Sequence, residues 1–227
     1  MNKAFIILTI VAIAIGCDTQ NNNENKPLEQ NEAIIDPAEK AARDSIAKAQ
    51  KDSTLKVNEA QRLEDIKRRD ALKKKFNYKV DEFKDIGFYI HKNQTVSNSW
   101  NRKCLKVHIN STGYIYLEDQ FYSDDWIFHT SIQVKIGADI YNSSIVETYD
   151  ENNKTEIGSG SIWENITYSN EQDEKIITAI AENSDKEIKV RFNGKQYYSD
   201  INLSKKDKQA IKEGYELSEL IKKVGNE

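Results

Sequence analysis

Three histidines, two adjacent aspartates and a set of tyrosines are the side chains whose chemistry would show first. His91, His108 and His129 each sit in a stretch of alternating apolar and polar residues, on the polar side of the alternation. On neighbouring strands the three imidazoles would converge on one sheet face, an arrangement suited to zinc or copper. No two stand at a short ligand spacing, so three separate surface histidines is the competing reading, and no metal site is assigned. Asp124-Asp125 offers paired carboxylates for acid–base work or calcium, but adjacent strand residues point to opposite faces, and a turn before Trp126 accounts for them more simply. Gly158-Ser159-Gly160-Ser161 lacks both the Gly-x-Ser-x-Gly spacing of a nucleophile elbow and the Gly-Lys-Ser/Thr ending of a phosphate loop, and reads as a strand edge or bulge. No motif asks for a cofactor, and no spacing predicts a catalytic constellation.

The tyrosines carry the more specific expectation. Tyr114 and Tyr116 share the face opposite Ile115 and Leu117, Tyr89 lies opposite an apolar strand face, and Tyr122 follows on the same segment. Exposed Tyr offers large amphipathic contact area to a protein or glycan. The alternative is that a second layer covers this face and makes the four residues core.

The elements that would position these groups are legible in the hydrophobic period. From Phe76 onward it is two. Ile86, Phe88 and Ile90 alternate with Gly87, Tyr89 and His91; Leu105, Val107 and Ile109 alternate with Cys104, Lys106 and His108. A longer apolar face runs from Trp126 and Phe128 through Thr130, Ile132 and Val134 to Ile136, opposite His129, Ser131, Gln133 and Lys135. These are half-buried antiparallel strands. Asn110–Gly113 predicts one hairpin loop and Asn193-Gly194 a two-residue hairpin. Asn170 can cap a helix over 171–183, and Ser204 one over 205–223 with Asp207 three residues on. The fold class expected is α+β: an antiparallel sheet or sandwich with one inserted helix and one C-terminal helix.

Aromatic residues mark where that domain begins. None occurs between Phe5 and Phe76, and all three Trp and all eleven Tyr lie beyond Phe76. A chain without large apolar side chains cannot offset its ordering entropy, so the core falls in residues 76–227. Residues 17–36 are polar and Asn-rich, as in a flexible tether. Asp36-Pro37-Ala38-Glu39 opens a helix expected over 37–75, with acid-then-base pairs at i,i+4 such as Glu39/Arg43, Asp44/Lys48 and Asp65/Arg69. Its apolar positions hold no sustained heptad, which favours a solvated single helix over a coiled coil. At 1.5 Å per residue it would reach roughly 60 Å, the length of a spacer. The basic stretch Lys67–Lys75 reads as a solvated face, with an anion site as the alternative.

Residues 1–16 have a positive n-region at Lys3 and an apolar run from Ala4 to Ile15, the layout of a secretory signal peptide. The ending Ala14-Ile15-Gly16-Cys17 resembles the lipobox of bacterial lipoproteins, with Ala14 where Leu is often found. The resemblance implies cleavage before Cys17 and acyl chains, palmitate among them, on that residue; several chains would anchor the protein firmly. It implies a place in the cell envelope, lipid-anchored, on the periplasmic or surface face. Asp44-Ser45-Ile46 and Asp52-Ser53-Thr54 resemble the Asp-Ser/Thr-apolar signal for O-glycosylation of one group of Gram-negative bacteria, which implies glycans on Ser45 and Ser53. The stretches Phe121–Phe128 and Val190–Asp200 resemble segments that recur in uncharacterised bacterial and phage-borne proteins, and no activity comes with that likeness.

Composition removes one class of partner. The whole chain has 33 basic and 37 acidic residues, a net charge of −4. Loss of residues 1–16 removes Lys3 alone, leaving a mildly acidic protein unsuited to nucleic acid. Cys17 and Cys104 are the two cysteines; with Cys17 acylated, Cys104 has no partner and reads as a small strand residue. The function expected is a membrane-anchored envelope lipoprotein whose β-rich domain is a non-catalytic binding module for a protein or glycan. An envelope hydrolase acting on cell-wall or glycan substrates and a phage-exclusion or inhibitor lipoprotein are the two alternatives.

Overall fold

The computed structural model of the chain describes residues 37–95, 100–158 and 160–227. The expected signal sequence, Cys17, the expected tether, the expected cap Asp36 and Ser159 lie outside the described residues. The chain divides into two units between Ala49 and Gln50. Helix α1 (Pro37–Lys73) contributes to both. Its side chains are exposed from Ala38 to Glu64, Ser45 and Ser53 among them, and the Glu39–Arg43 pair forms at 2.6 Å.

Ten strands follow. β1 (Phe76–Asp81), β2 (Ile86–His91), β3 (Cys104–Asn110), β4 (Ile115–Ser123), β7 (Asn153–Gly158) and β8 (Ser161–Tyr168) make one antiparallel sheet in the order β1-β2-β3-β4-β8-β7. β5 (His129–Ile136), β6 (Asp139–Asn142), β9 (Ile188–Gly194) and β10 (Tyr198–Asn202) make the second, in the order β10-β9-β5-β6. Helix α2 (Glu171–Glu182) is inserted between β8 and β9, and α3 (Lys205–Val224) closes the chain. The fold is α+β. Both helix starts form as the sequence leads one to expect: Ser204 Oγ accepts from Asp207 N–H at 3.1 Å, and Asp173 accepts from Asn170 N–H at 3.1 Å.

The core lies between the sheets and under the helices. Val107 stands opposite Leu117, Ile109 opposite Ile115, and Leu117 opposite Tyr168 on the inner face of the first sheet. Gly214 lets α3 settle onto β3, because a Cβ there would stand 2.6 Å from Val107 Cγ2. The second sheet contributes the buried pairs Ile132/Phe192, Val134/Val190 and Ile136/Ile188, and Phe121 meets Phe192 across the gap at 5.9 Å. Each such side chain contributes about 1.5–3 kcal/mol when fully buried.

The basic stretch from Lys67 to Lys75 is exposed at Lys67, Arg68, Lys74 and Lys75, as a solvated face is expected to be, while Arg69 is buried and Lys73 half-buried beside the end of α3. Arg68 clasps Glu216 of α3 with two bonds of 2.6 and 3.0 Å. Arg69 donates to Gly225 O at 2.7 Å and Lys73 to Asn226 O, where the carbonyl end of α3 favours cations. Lys75 pairs with Glu213 at 2.6 Å. Below these contacts Leu72 and Phe76 are buried, so the last turns of α1 belong to the globular unit.

Two local expectations shift. The turn placed at Asn193-Gly194 falls at Lys195-Gln196 instead: Asn193 pairs with Tyr198, and Gly194 N–H bonds Tyr197 O at 2.8 Å. The apolar alternation placed from Trp126 onward breaks at a bulge between His129 and Ser131. The extra residue turns His129 to the inner side and leaves Phe128 exposed.

Candidate functional site

The even-numbered residues of β3 and β4 point away from α3 and line the outer face of the first sheet. Their register sets His108 opposite Tyr116, Lys106 opposite Glu118, Cys104 opposite Gln120, and across β8 Tyr122 opposite Trp163. Ring contacts tie this face together. His108 stacks on Tyr116 at 4.9 Å and 4°, Phe88 meets Tyr116 edge-on at 6.5 Å, and Trp163 lies between Tyr122 at 5.3 Å and Trp100 at 4.9 Å. At the β1–β2 end the face opens into a groove of about 550 Å³, floored by Phe88, Ile90, His108 and Tyr116 and overhung by the exposed Phe83.

The polar groups on this face are an unusual set for the outside of a sheet. Lys106 Nζ donates to Glu118 Oε1 at 2.9 Å and to Gln120 Oε1 at 3.0 Å. Gln120 in turn donates to the carbonyls of Trp100 and Arg102, and Trp163 Nε1 donates to Trp100 O at 2.6 Å, which fastens the segment before β3 over the sheet. Burial alone would raise the Glu118 carboxyl, but the His108 and Lys106 contacts outweigh it and hold it at about 2. Burial, with the Glu118 charge, pushes the Tyr116 hydroxyl up to about 12. His108 Nε2 lies 2.9 Å from Glu118 Oε2, so the carboxylate sits between the imidazole and the Lys106 ammonium. Asn165 Oδ1, on the same face opposite Gln120, is a buried side-chain oxygen without a hydrogen-bond partner. An orphaned buried polar atom is costly, and the Asn165 oxygen is a place for a ligand or water to bond.

The predicted residues separate cleanly. Tyr116 and Tyr122 belong to this face, and Tyr122 OH is 3.2 Å from Ser161 Oγ. Tyr114 is exposed outside β4 and donates to Ser169 O at 2.5 Å. Tyr89 lies on the opposite, inner face: it is buried against Phe76 and Tyr78 and its hydroxyl donates to Asn226 Oδ1 at 2.8 Å. On β2 the half-buried Ile86, Phe88 and Ile90 face outward, so the side expected to be polar is the inner one.

Nor do the histidines converge. His91 is buried beside α3, where its Nδ1 accepts from Asn93 N–H at 3.1 Å and its Nε2–H donates to Glu213 at 3.0 Å. Burial, outweighing Glu213, lowers its pKa. His129 lies between the sheets with both ring nitrogens facing acceptors: Nε2 meets Asp119 Oδ2 at 2.6 Å and Nδ1 meets Asn193 O at 3.1 Å. Burial alone would lower its pKa, but the Asp119 charge and hydrogen bond outweigh it, and the pKa is raised. Tyr168 OH donates to the same Asp119 oxygen at 2.7 Å. With Asp119 and His129 both 0 % exposed, this Asp–His–Tyr cluster meets no substrate; it joins β4 and β8 of one sheet to β5 of the other. Among the described residues no group of three or more metal-ligating side chains comes together. Asp124 and Asp125 form the expected bend before β5.

Lys106, Glu118, Phe88 and Asn165 join the tyrosines on the outer face and escaped the sequence reading. The signal was present: the even positions from Cys104 to Tyr122 alternate strictly with the core set. No family model matches this chain, and no curated protein or solved structure matches it.

Proposed function

We propose that the chain is a membrane-anchored envelope lipoprotein whose β-rich domain is a non-catalytic binding module for an envelope protein or glycan, engaged through the outer face of the six-stranded sheet. The observation that carries the binding reading is the groove of about 550 Å³ floored by Phe88, Ile90, His108 and Tyr116, with the Tyr122, Trp163 and Trp100 rings continuing along the same side of the sheet. A bound partner finds apolar contact on the rings and a free acceptor in the Asn165 oxygen. Among the described residues the groove lining contains no Ser, Thr or Cys nucleophile, and Tyr116 holds its proton to about pH 12. A hydrolase would have to rely on the His108–Glu118 pair, whose carboxylate Lys106 also neutralises.

The anchor rests on the lipobox residues ending at Cys17, and α1 then serves as part of a spacer between membrane and domain. Among the described residues no helix is long and apolar enough to cross a membrane. Metabolic labelling with palmitate tests the anchor: the wild-type chain takes up label and sediments with membranes, whereas Cys17→Ser does neither. An unlabelled wild-type chain would overturn it. Glycans on Ser45 and Ser53 would add mass beyond the acylated polypeptide, and an intact mass equal to that polypeptide would remove them.

A further inference from the structure

Between β4 and β5 the chain makes a short detour that displays two aromatic rings. Phe128 sits at φ 53°, a backbone region that a bulky residue occupies only when its surroundings impose it. Those surroundings are visible on both sides. The buried Glu164 carboxylate of β8 accepts from Ile127 N–H at 3.2 Å and from His129 N–H at 2.9 Å. From β9, Gly194 leaves room for the Ile127 carbonyl, which a Cβ would approach to 1.8 Å, and Lys195 N–H donates to that carbonyl at 3.1 Å. Two sheets therefore fix three consecutive residues. The result is exposure: Phe128 is 49 % and Trp126 36 % exposed, while Ile127 between them is buried. Their rings lie 5.9 Å apart and within 17° of parallel. A ring left in solvent gives the fold little in exchange for a strained backbone.

Two hollows of about 610 and 580 Å³ flank the ring pair and share it as a wall. The first is rimmed by Thr148, Thr155, Gln196 and the fully exposed Tyr149. Its one charged lining residue, Lys195, has Glu147 at 3.6 Å to neutralise it. The second is rimmed by Ser123, Ser199, Tyr197 and Tyr198, and its two charged lining residues, Lys103 and Asp125, are of opposite sign. Hydroxyls and amides around a flat aromatic wall, with little net charge, match one ligand chemistry closely. A pyranose has a face of C–H groups that rests on the electron-rich face of an aromatic ring, and an edge of hydroxyls that both donate and accept. We propose that Trp126 and Phe128 form a platform for a neutral pyranose oligosaccharide, one sugar ring stacked on the aromatic pair and its neighbours reaching into the hollows. The site stands whether or not the outer face of the first sheet takes a ligand.

Saturation-transfer NMR of the full chain with cello-, malto- and chito-oligosaccharides as probes tests this. At least one probe shows transfer concentrated on its ring C–H protons. Phe128→Gly accepts the left-handed backbone freely, so its melting temperature equals or exceeds that of the wild type while its affinity falls roughly tenfold or more. Trp126→Ala, whose backbone demands nothing unusual, gives the same loss. The proposal fails if none of the probes shows transfer, if Phe128→Gly binds as well as the wild type, or if Phe128→Gly melts lower because the ring serves the fold. It also fails if no sugar binds and these variants instead release a protein captured from the envelope, which would make the platform a protein interface.

Discussion

Replacing His129 by Leu, a side chain of similar volume, removes one half of the buried pair between the sheets. Asp119 would keep the Tyr168 hydroxyl at 2.7 Å and the long bond from Ile166 N–H at 3.3 Å, but no cation. A buried pair broken on one side costs about 3–5 kcal/mol, because the remaining charge has lost its compensation. For a domain of this size each 1 kcal/mol moves the melting temperature by about 2–4 °C, so the expected fall is roughly 6–20 °C. A second substitution sharpens the argument. Asp119→Asn in the His129→Leu background removes the stranded charge and keeps the shape, leaving a neutral polar group whose residual cost is about 1–3 kcal/mol. The double variant is therefore more stable than His129→Leu alone, although it has lost a further native side chain. Urea denaturation at about pH 6, where the raised pKa keeps His129 protonated, followed by circular dichroism on the three proteins reads both quantities. A His129→Leu protein within 1 kcal/mol of wild type, or a double variant less stable than it, would refute the reasoning that an ion pair joins the sheets.

The two buried histidines give opposite limbs to the stability–pH curve. The contribution of His129, whose pKa is raised, is complete below its unfolded value of about 6.5 and is lost as pH rises through the folded value; that of His91, whose pKa is lowered, is present above about 6.5 and is lost as pH falls through the folded value. In pH-resolved melting, His129→Leu flattens the alkaline limb and His91→Gln part of the acid limb; unchanged limbs would contradict these assignments. Gly194→Ala drives a Cβ against the Ile127 carbonyl and costs about 1–3 kcal/mol, measurable by denaturation, whereas a neutral outcome would mean that the clamp on Phe128 is loose. Burial pushes the Cys104 thiol up to about 12, so iodoacetamide leaves it unmodified in the native protein and labels it in urea; prompt native labelling would show that the strand opens.

Helix starts and strand alternation were readable because each depends on neighbours in sequence. Ser204 with Asp207 and Asn170 with Asp173 specify their caps within four residues, and the period of two from Leu105 to Leu117 separates core from outer face. What escaped depends on partners far along the chain. The bulge at β5 is set by pairing with β9, and one inserted residue moved His129 from the expected surface to the centre of the core. Tyr89 was placed outward by a pattern of Ile86, Phe88 and Ile90 that ordinarily marks a core face; here the helix ends, with Asn226 and the α1 side chains, cover the other side. The candidate site was half legible. Tyr116 and Tyr122 share it, while the Lys106–Glu118–His108 cluster and the unpartnered Asn165 oxygen follow from three strands meeting and from Trp100 fastened above them.

The measurement that bears most directly on the binding role of the outer face is capture from the native envelope with two baits, the wild-type chain and Tyr116→Ser, after their melting temperatures have been compared. Tyr116 is half-buried at the groove and bonded to nothing in the core, so the substitution leaves the fold standing. A specific protein or glycan held by the wild type and lost from an equally stable Tyr116→Ser is the predicted result. The same partner held equally by both baits, or Tyr116→Ser unfolding because the ring is core, would contradict a binding role for this face.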